Sequence, residues 1–191
     1  MKKIILISGP LAVGKTSLAQ ELITRHLFGG IRTGPHLLAL AAQKGVDQSR
    51  RGLQELGDQL DSESNFRWVV EVAQKSMKEK PNISNWLFDS VRKQRQVEHF
   101  RNLFGAAVVH IHLTAPEDVL VKRYQSRLGN GSQYFNATPY AEAIKHPNES
   151  ASRALIAISD RQLDLSVLSA NEAALIITQL SGVPNEKSRT D

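Results

Sequence analysis

Residues 9–16 read GPLAVGKT and match the pattern G-x-x-x-x-G-K-[ST], and what flanks them narrows the fold more than any other feature of the chain. Before them, Lys3 to Ser8 is a short, β-branched, almost wholly apolar run, the pattern of a strand buried on both faces of a parallel sheet. After them, Leu18, Leu22 and Ile23 recur at helical spacing opposite Gln20, Glu21 and Arg25, until Gly29 and Gly30 end the pattern. A glycine-rich turn from a buried strand into a helix is the context this motif requires. Gly9 and Gly14 allow a tight turn in which successive N–H groups face a polyphosphate, and the helix adds its positive end. Gly9, Ala12, Val13, Gly14, Lys15, Thr16 and Ser17 are therefore candidate nucleotide-binding residues. Lys15 would bridge the β- and γ-phosphates of ATP, and the Thr16 hydroxyl would help to hold Mg²⁺.

The remaining chain alternates β and α patterns. An edge strand is expected around Ile31–Thr33, a helix over His36–Lys44, and two helices within residues 50–79, broken near Asp61–Ser64. Trp86 to Asp89 reads as a buried strand, Gln94–Phe104 as a helix, Ala106–Leu113 as a strand and Pro116–Arg127 as a helix. The loop-like stretch Gly129–Thr138 precedes helices opening at Thr138-Pro139 and at Asn148 or Ser150. A last strand is expected over Leu163–Leu168, and Ser169-Ala170-Asn171-Glu172 fits a capping box opening a helix to Leu180. These elements imply a three-layer α/β P-loop NTPase fold, a parallel sheet of about five strands with helices on both faces. Residues 1–182 form one domain in this reading, with a helical acceptor-binding insertion over 33–80, a lid over 128–147 and a flexible tail over 183–191.

Composition removes several alternatives. A chain of 191 residues, 41% hydrophobic, is sized for one core. With no cysteine it has no disulfide framework, thiolate metal site or cysteine nucleophile. The apolar run Ile4–Ile7 is too short to export or anchor a protein, so the expected product is soluble and cytoplasmic, with no membrane partner. The net charge of +5 comes from residues 1–100, which hold 15 Lys/Arg against 10 Asp/Glu. No basic run carries interleaved aromatics, so the excess suits a cleft for small anions and a small-molecule phosphate acceptor, with no nucleic-acid partner expected. No feature of the sequence specifies an oligomer.

Asp89 ends the WLFD strand, and parallel strands deliver their C-terminal ends to one edge, so it is a candidate to orient Mg²⁺ or accept a proton. Arg92 lies three residues on and is a candidate for gripping an anion in the same cleft. Arg123 and Arg127 share a helix face directly before the glycine-rich loop, which suits cations that a lid brings onto the transferred group; Arg153 is a further candidate. His110 and His112 alternate onto one strand face and, with no acidic or thiolate partner nearby, read as buried hydrogen-bonded histidines.

This order of motifs resembles the nucleoside monophosphate kinase group, the adenylate kinase-like branch of P-loop kinases. GPLAVGKT is similar to its phosphate loop, Arg32-Thr33-Gly34 to its S-T-G element, Asp89-Ser90-Val91-Arg92 to its D-G-x-P-R strand end, and Arg123 with Arg127 to its lid arginine pair. The resemblance implies ATP- and Mg²⁺-dependent phosphoryl transfer to a nucleoside or deoxynucleoside monophosphate, with Arg32, Thr33, Arg92 and Arg153 toward the acceptor. The chain departs from the pattern where Leu38 stands in place of the arginine that grips the acceptor phosphate, and Arg50 or Arg51 is a substitute for it. Two other readings fit the same loop: a P-loop kinase of a non-nucleotide small molecule, and a nucleotide-binding regulatory or nucleic-acid-processing ATPase.

Overall fold

The computed structural model describes residues 2–129 and 138–181. Five parallel strands form one sheet in the order β2-β3-β1-β4-β5. They are β1 (Lys3–Ser8), β2 (Gly29–Gly30), β3 (Asn85–Phe88), β4 (Val108–Thr114) and β5 (Arg161–Asp164). The expected α/β P-loop NTPase architecture is the one observed. Because side chains alternate along a strand, β1 feeds two cores: Ile5 and Ile7 point to one face of the sheet, Ile4 and Leu6 to the other. On the first face α1 (Lys15–Arg25), α6 (Glu117–Gly129) and α9 (Ala170–Leu180) contribute Leu18, Leu22, Tyr124 and Ile177. On the second, α4 (Trp68–Glu79) and α5 (Gln94–Phe104) contribute Val69, Ala73, Val97 and Phe100.

The edge strand β2 lies two residues before its expected place at Ile31–Thr33. Gly29 backs onto the ring of Trp86, where an added Cβ would stand 2.7 Å from a ring carbon, so only a glycine brings the edge this close. Ile31 still donates its N–H to Leu87, and α2 (Thr33–Lys44) begins directly afterwards. The expected pair of helices is α3 (Arg50–Glu63) and α4, with the break displaced to residues 64–67. Asn65 and Phe66 there take positive φ of 49° and 64°, while the Trp68 indole N–H donates to Asp61 Oδ1 at 2.7 Å and ties the two helices together.

The last strand is corrected from Leu163–Leu168 to Arg161–Asp164. Asp164 Oδ1 accepts the Ser166 N–H at 2.7 Å, which turns the chain out of the sheet. Of the apolar residues of the expected strand beyond it, only Leu165 is buried, packed against Gly14, while Val167 is exposed. The capping box at Ser169 and Glu172 forms as expected and opens α9. Of the segment read as a lid, residues 130–137 lie outside the described residues; beyond them stand α7 (Tyr140–Ala143) and α8 (Pro147–Ala154). The segment read as a tail also lies outside them. Among the described residues, no helix is long and apolar enough to cross a membrane.

Candidate active site

The loop between β1 and α1 is bent by three residues of positive φ: Gly9 at 141°, Ala12 at 66° and Gly14 at 116°. A Cβ at Gly9 would lie 2.6 Å from the carbonyl oxygen of Leu113, so β4 forbids any other residue there. Gly14 is the N-cap of α1, which leaves the helix's first N–H groups directed into the loop. Lys15 folds back over the same loop, its Nζ donating to the carbonyls of Gly9 at 2.6 Å and Pro10 at 2.9 Å. Burial pushes its pKa down to about 8, with the carboxylates of Glu149 and Asp89 opposing the shift.

Beneath the loop, the Ser8 hydroxyl lies 2.8 Å from His110 Nε2 and 2.8 Å from His112 Nδ1. Both imidazoles are buried and pushed down to about 4, chiefly by loss of solvent. The pair is a hydrogen-bonded support for the β1 end, and among the described residues no group of three or more His, Asp or Glu side chains could hold a metal.

β3 lies beside β1, with Phe88 in register with Leu6, so Asp89 emerges next to the loop. Burial raises the Asp89 pKa, while the charges of Arg32, Lys15 and Arg92 pull it the other way. Lys15, Thr16, Asp89 and Arg92 line one cavity of about 730 Å³. Arg51 and Gln54 from α3 line its far side, and His146 and Glu149 line the side formed by α7 and α8. Gln54 meets His146 at 2.7 Å across 92 residues of sequence, joining α3 to the start of α8.

The other expected site residues are distributed more widely. Arg32 acts on Asp89 through its charge, but neither it nor Thr33 is among the residues lining the cavity. Arg127 has its charge close enough to act on Lys15. Arg123 instead donates to the carbonyls of Val13 at 3.0 Å and Leu165 at 2.6 Å, clamping the loop to the turn after β5. Arg153 is held by Glu117 at 3.0 Å, Glu149 at 3.0 Å and the Tyr140 hydroxyl at 2.9 Å.

Two residues of α8 that sequence reasoning missed touch the loop itself. Glu149 Oε1 accepts the Leu11 N–H at 2.8 Å, and the Ser152 hydroxyl donates to the Gly9 carbonyl at 3.1 Å. Both contacts span more than 130 residues, and no local pattern signals them.

A search of curated proteins found no match. Among solved structures, an unliganded sugar kinase from Janibacter sp. HTCC2649 is similar, with a TM-score of 0.54 and 14% identity over 97% of this chain and 100% of its own. The YorR protein of Bacillus subtilis in complex with phosphorylated GDP has a TM-score of 0.52 and 17% identity over 95% and 96%. Shikimate kinase from Bacteroides thetaiotaomicron has a TM-score of 0.52 and 11% identity over 93% and 97%. At these identities the likeness is one of fold. Residues 5–138, from the strand that feeds the phosphate loop to the far side of α6, match the family model described as AAA domain, and the chain belongs to that family.

Proposed function

We propose that the protein is a P-loop kinase that transfers the γ-phosphate of ATP to a small phosphorylated acceptor, a nucleoside or deoxynucleoside monophosphate. The observation that carries this reading is the shared cavity: Lys15 and Thr16, which suit a donor, line the same space as Asp89, Arg92 and Arg51, which suit an anionic acceptor. The cavity volume of about 730 Å³ is within the range of small-molecule and cofactor sites.

The loop N–H groups and Lys15 bind and orient the polyphosphate, and Lys15 meets the negative charge that shifts as the bond to the γ-phosphorus breaks. Arg92 and Arg51 hold the acceptor so that its attacking oxygen lies in line with the breaking bond. Arg51 takes the role left open by Leu38: it lines the cavity and is largely exposed, with Glu55 as an ion-pair partner at 2.8 Å. A phosphate acceptor has no proton to lose; for a hydroxyl acceptor, Asp89 is the group to receive it. Thr16 and Asp89, one hydroxyl and one carboxylate on a common cavity, form the sparse protein donor set that Mg²⁺ takes alongside phosphate oxygens. When bound, that ion neutralises charge between the phosphates. The insertion over 33–80 supplies the acceptor side, and the lid over 128–147, with Arg127 at its base, excludes water.

A second reading, a kinase of a non-nucleotide small molecule, is favoured by the sugar kinase and shikimate kinase among the similar structures. One panel separates them: thermal stabilisation and ADP release with ATP, Mg²⁺ and either nucleoside monophosphates or hydroxylated sugars and acids. The nucleotide reading expects a monophosphate to raise the melting temperature and release ADP. A response to the sugars or acids alone transfers the function to the second reading.

A further inference from the structure

Two donors converge on one carboxylate oxygen beside the phosphate loop. Glu149 Oε1 accepts from the Leu11 N–H at 2.8 Å and from Arg153 Nε at 3.0 Å, and the carboxylate is largely buried. A peptide N–H of the loop and a guanidinium N–H aimed at the same point make an anion position. Lys15 locates it relative to the donor nucleotide. The motif lysine serves the β- and γ-phosphates, and its Nζ lies at the carbonyls of Gly9 and Pro10, the residues just before Leu11. The Leu11 N–H therefore stands at the γ-phosphate end of the loop, away from the N–H groups that open α1.

Resting on the reading that the loop takes ATP, we propose that Glu149 is a built-in competitor of the γ-phosphate. Its carboxylate and the terminal phosphate claim the same two donors, and two anions cannot share them. ATP displaces Glu149 and inherits both donors; ADP, lacking the terminal group, leaves Glu149 on Leu11. The exchange brings Arg153 to the γ-phosphate, since the nitrogen that Glu149 gives up faces the vacated position. It also lets α8 report occupancy of the donor site, because Ser152 holds the Gly9 carbonyl and His146, the N-cap of α8, meets Gln54 of the acceptor-side helix. The competition lowers affinity for ATP more than for ADP.

Isothermal titration of the full chain with ATP and with ADP, each with Mg²⁺, tests this through the ratio of the two affinities. Glu149→Gln keeps the length and the acceptor oxygen but removes the charge, and it is expected to tighten ATP about tenfold while changing ADP less than about twofold. Glu149→Asp keeps the charge but draws it back by one methylene, and is expected to tighten ATP about threefold with ADP again unchanged. Glu142→Gln removes a charge from the same cavity where no loop contact is made, and should leave the ratio as in the wild type. An unchanged ATP-to-ADP ratio in both Glu149 variants, parallel tightening of both nucleotides, or an equal change in Glu142→Gln overturns the role of Glu149 while leaving the loop a nucleotide site. Failure of the wild type to bind either nucleotide overturns both this inference and the proposed function.

Discussion

Lys15 Nζ donates to the carbonyl of Gly9 at 2.6 Å, so the lysine of the phosphate loop closes the loop it belongs to. Its ammonium is half-buried with two carbonyl acceptors and, among the described residues, no carboxylate in ion-pair contact, and burial holds its pKa near 8. A polyphosphate beside it favours the charged form and raises that value. Nucleotide binding near pH 8 to 8.5 should accordingly take up a fraction of a proton, and affinity should fall as pH rises further. Calorimetry of ATP binding in two buffers of different ionisation enthalpy measures the uptake; proton release on binding would contradict this account of Lys15.

Replacing Gly9 tests the packing beneath the loop. Gly9→Ala forces a side chain into φ 141° and sets its Cβ 2.6 Å from a backbone oxygen of β4, which cannot rotate away. Destabilisation of at least about 2 kcal/mol is expected from the strain and the contact together, measured by urea unfolding. A variant as stable as the wild type would show that β1 and β4 are not so closely apposed.

Arg92 and Arg127 should separate in kinetics. Arg92 lines the cavity beyond the β3 end, whereas Arg127 acts on Lys15 from the α6 side. Arg92→Ala is expected to weaken use of the acceptor by roughly 1.5–3 kcal/mol, about 10- to 150-fold in kcat/KM, with ATP affinity nearly unchanged. Arg127→Ala is expected to lower kcat instead, because in the proposed mechanism a cation at the base of the lid serves the charge developing after closure. Steady-state rates with each substrate varied distinguish the two; an Arg92→Ala enzyme with unaltered acceptor parameters removes Arg92 from the acceptor site and leaves that role to Arg32, Arg50 or Arg51.

What the sequence made legible was local. The phosphate loop, the capping box at Ser169 and the strand that leads into Asp89 all lie in a few consecutive residues whose spacing carries the physics, and the structure reproduces them, with the strand ending at Phe88, one residue before the acid. Elements whose identity depends on distant partners were misplaced. Leu163–Leu168 has the composition of a buried strand, yet Leu165 is buried against the loop rather than in the sheet, and the edge strand before it is largely exposed. The i, i+4 spacing of Arg123 and Arg127 gives a shared helix face but not what that face meets, and Arg123 proves to grip backbone carbonyls at Val13 and Leu165. Glu149 reaches Leu11 across 138 residues, a contact that only the fold creates.

Removing the Lys15 ammonium tests the central claim most directly. Lys15→Ala deletes the cation over the phosphate loop and leaves the hydrophobic clusters of both sheet faces intact. Coupled measurement of ADP formation, with ATP, Mg²⁺ and the acceptor found by the thermal panel, should show a loss of roughly 10²- to 10³-fold in kcat. Circular dichroism and melting temperature should stay close to those of the wild type. Turnover by Lys15→Ala at the wild-type rate would contradict phosphoryl transfer at this loop.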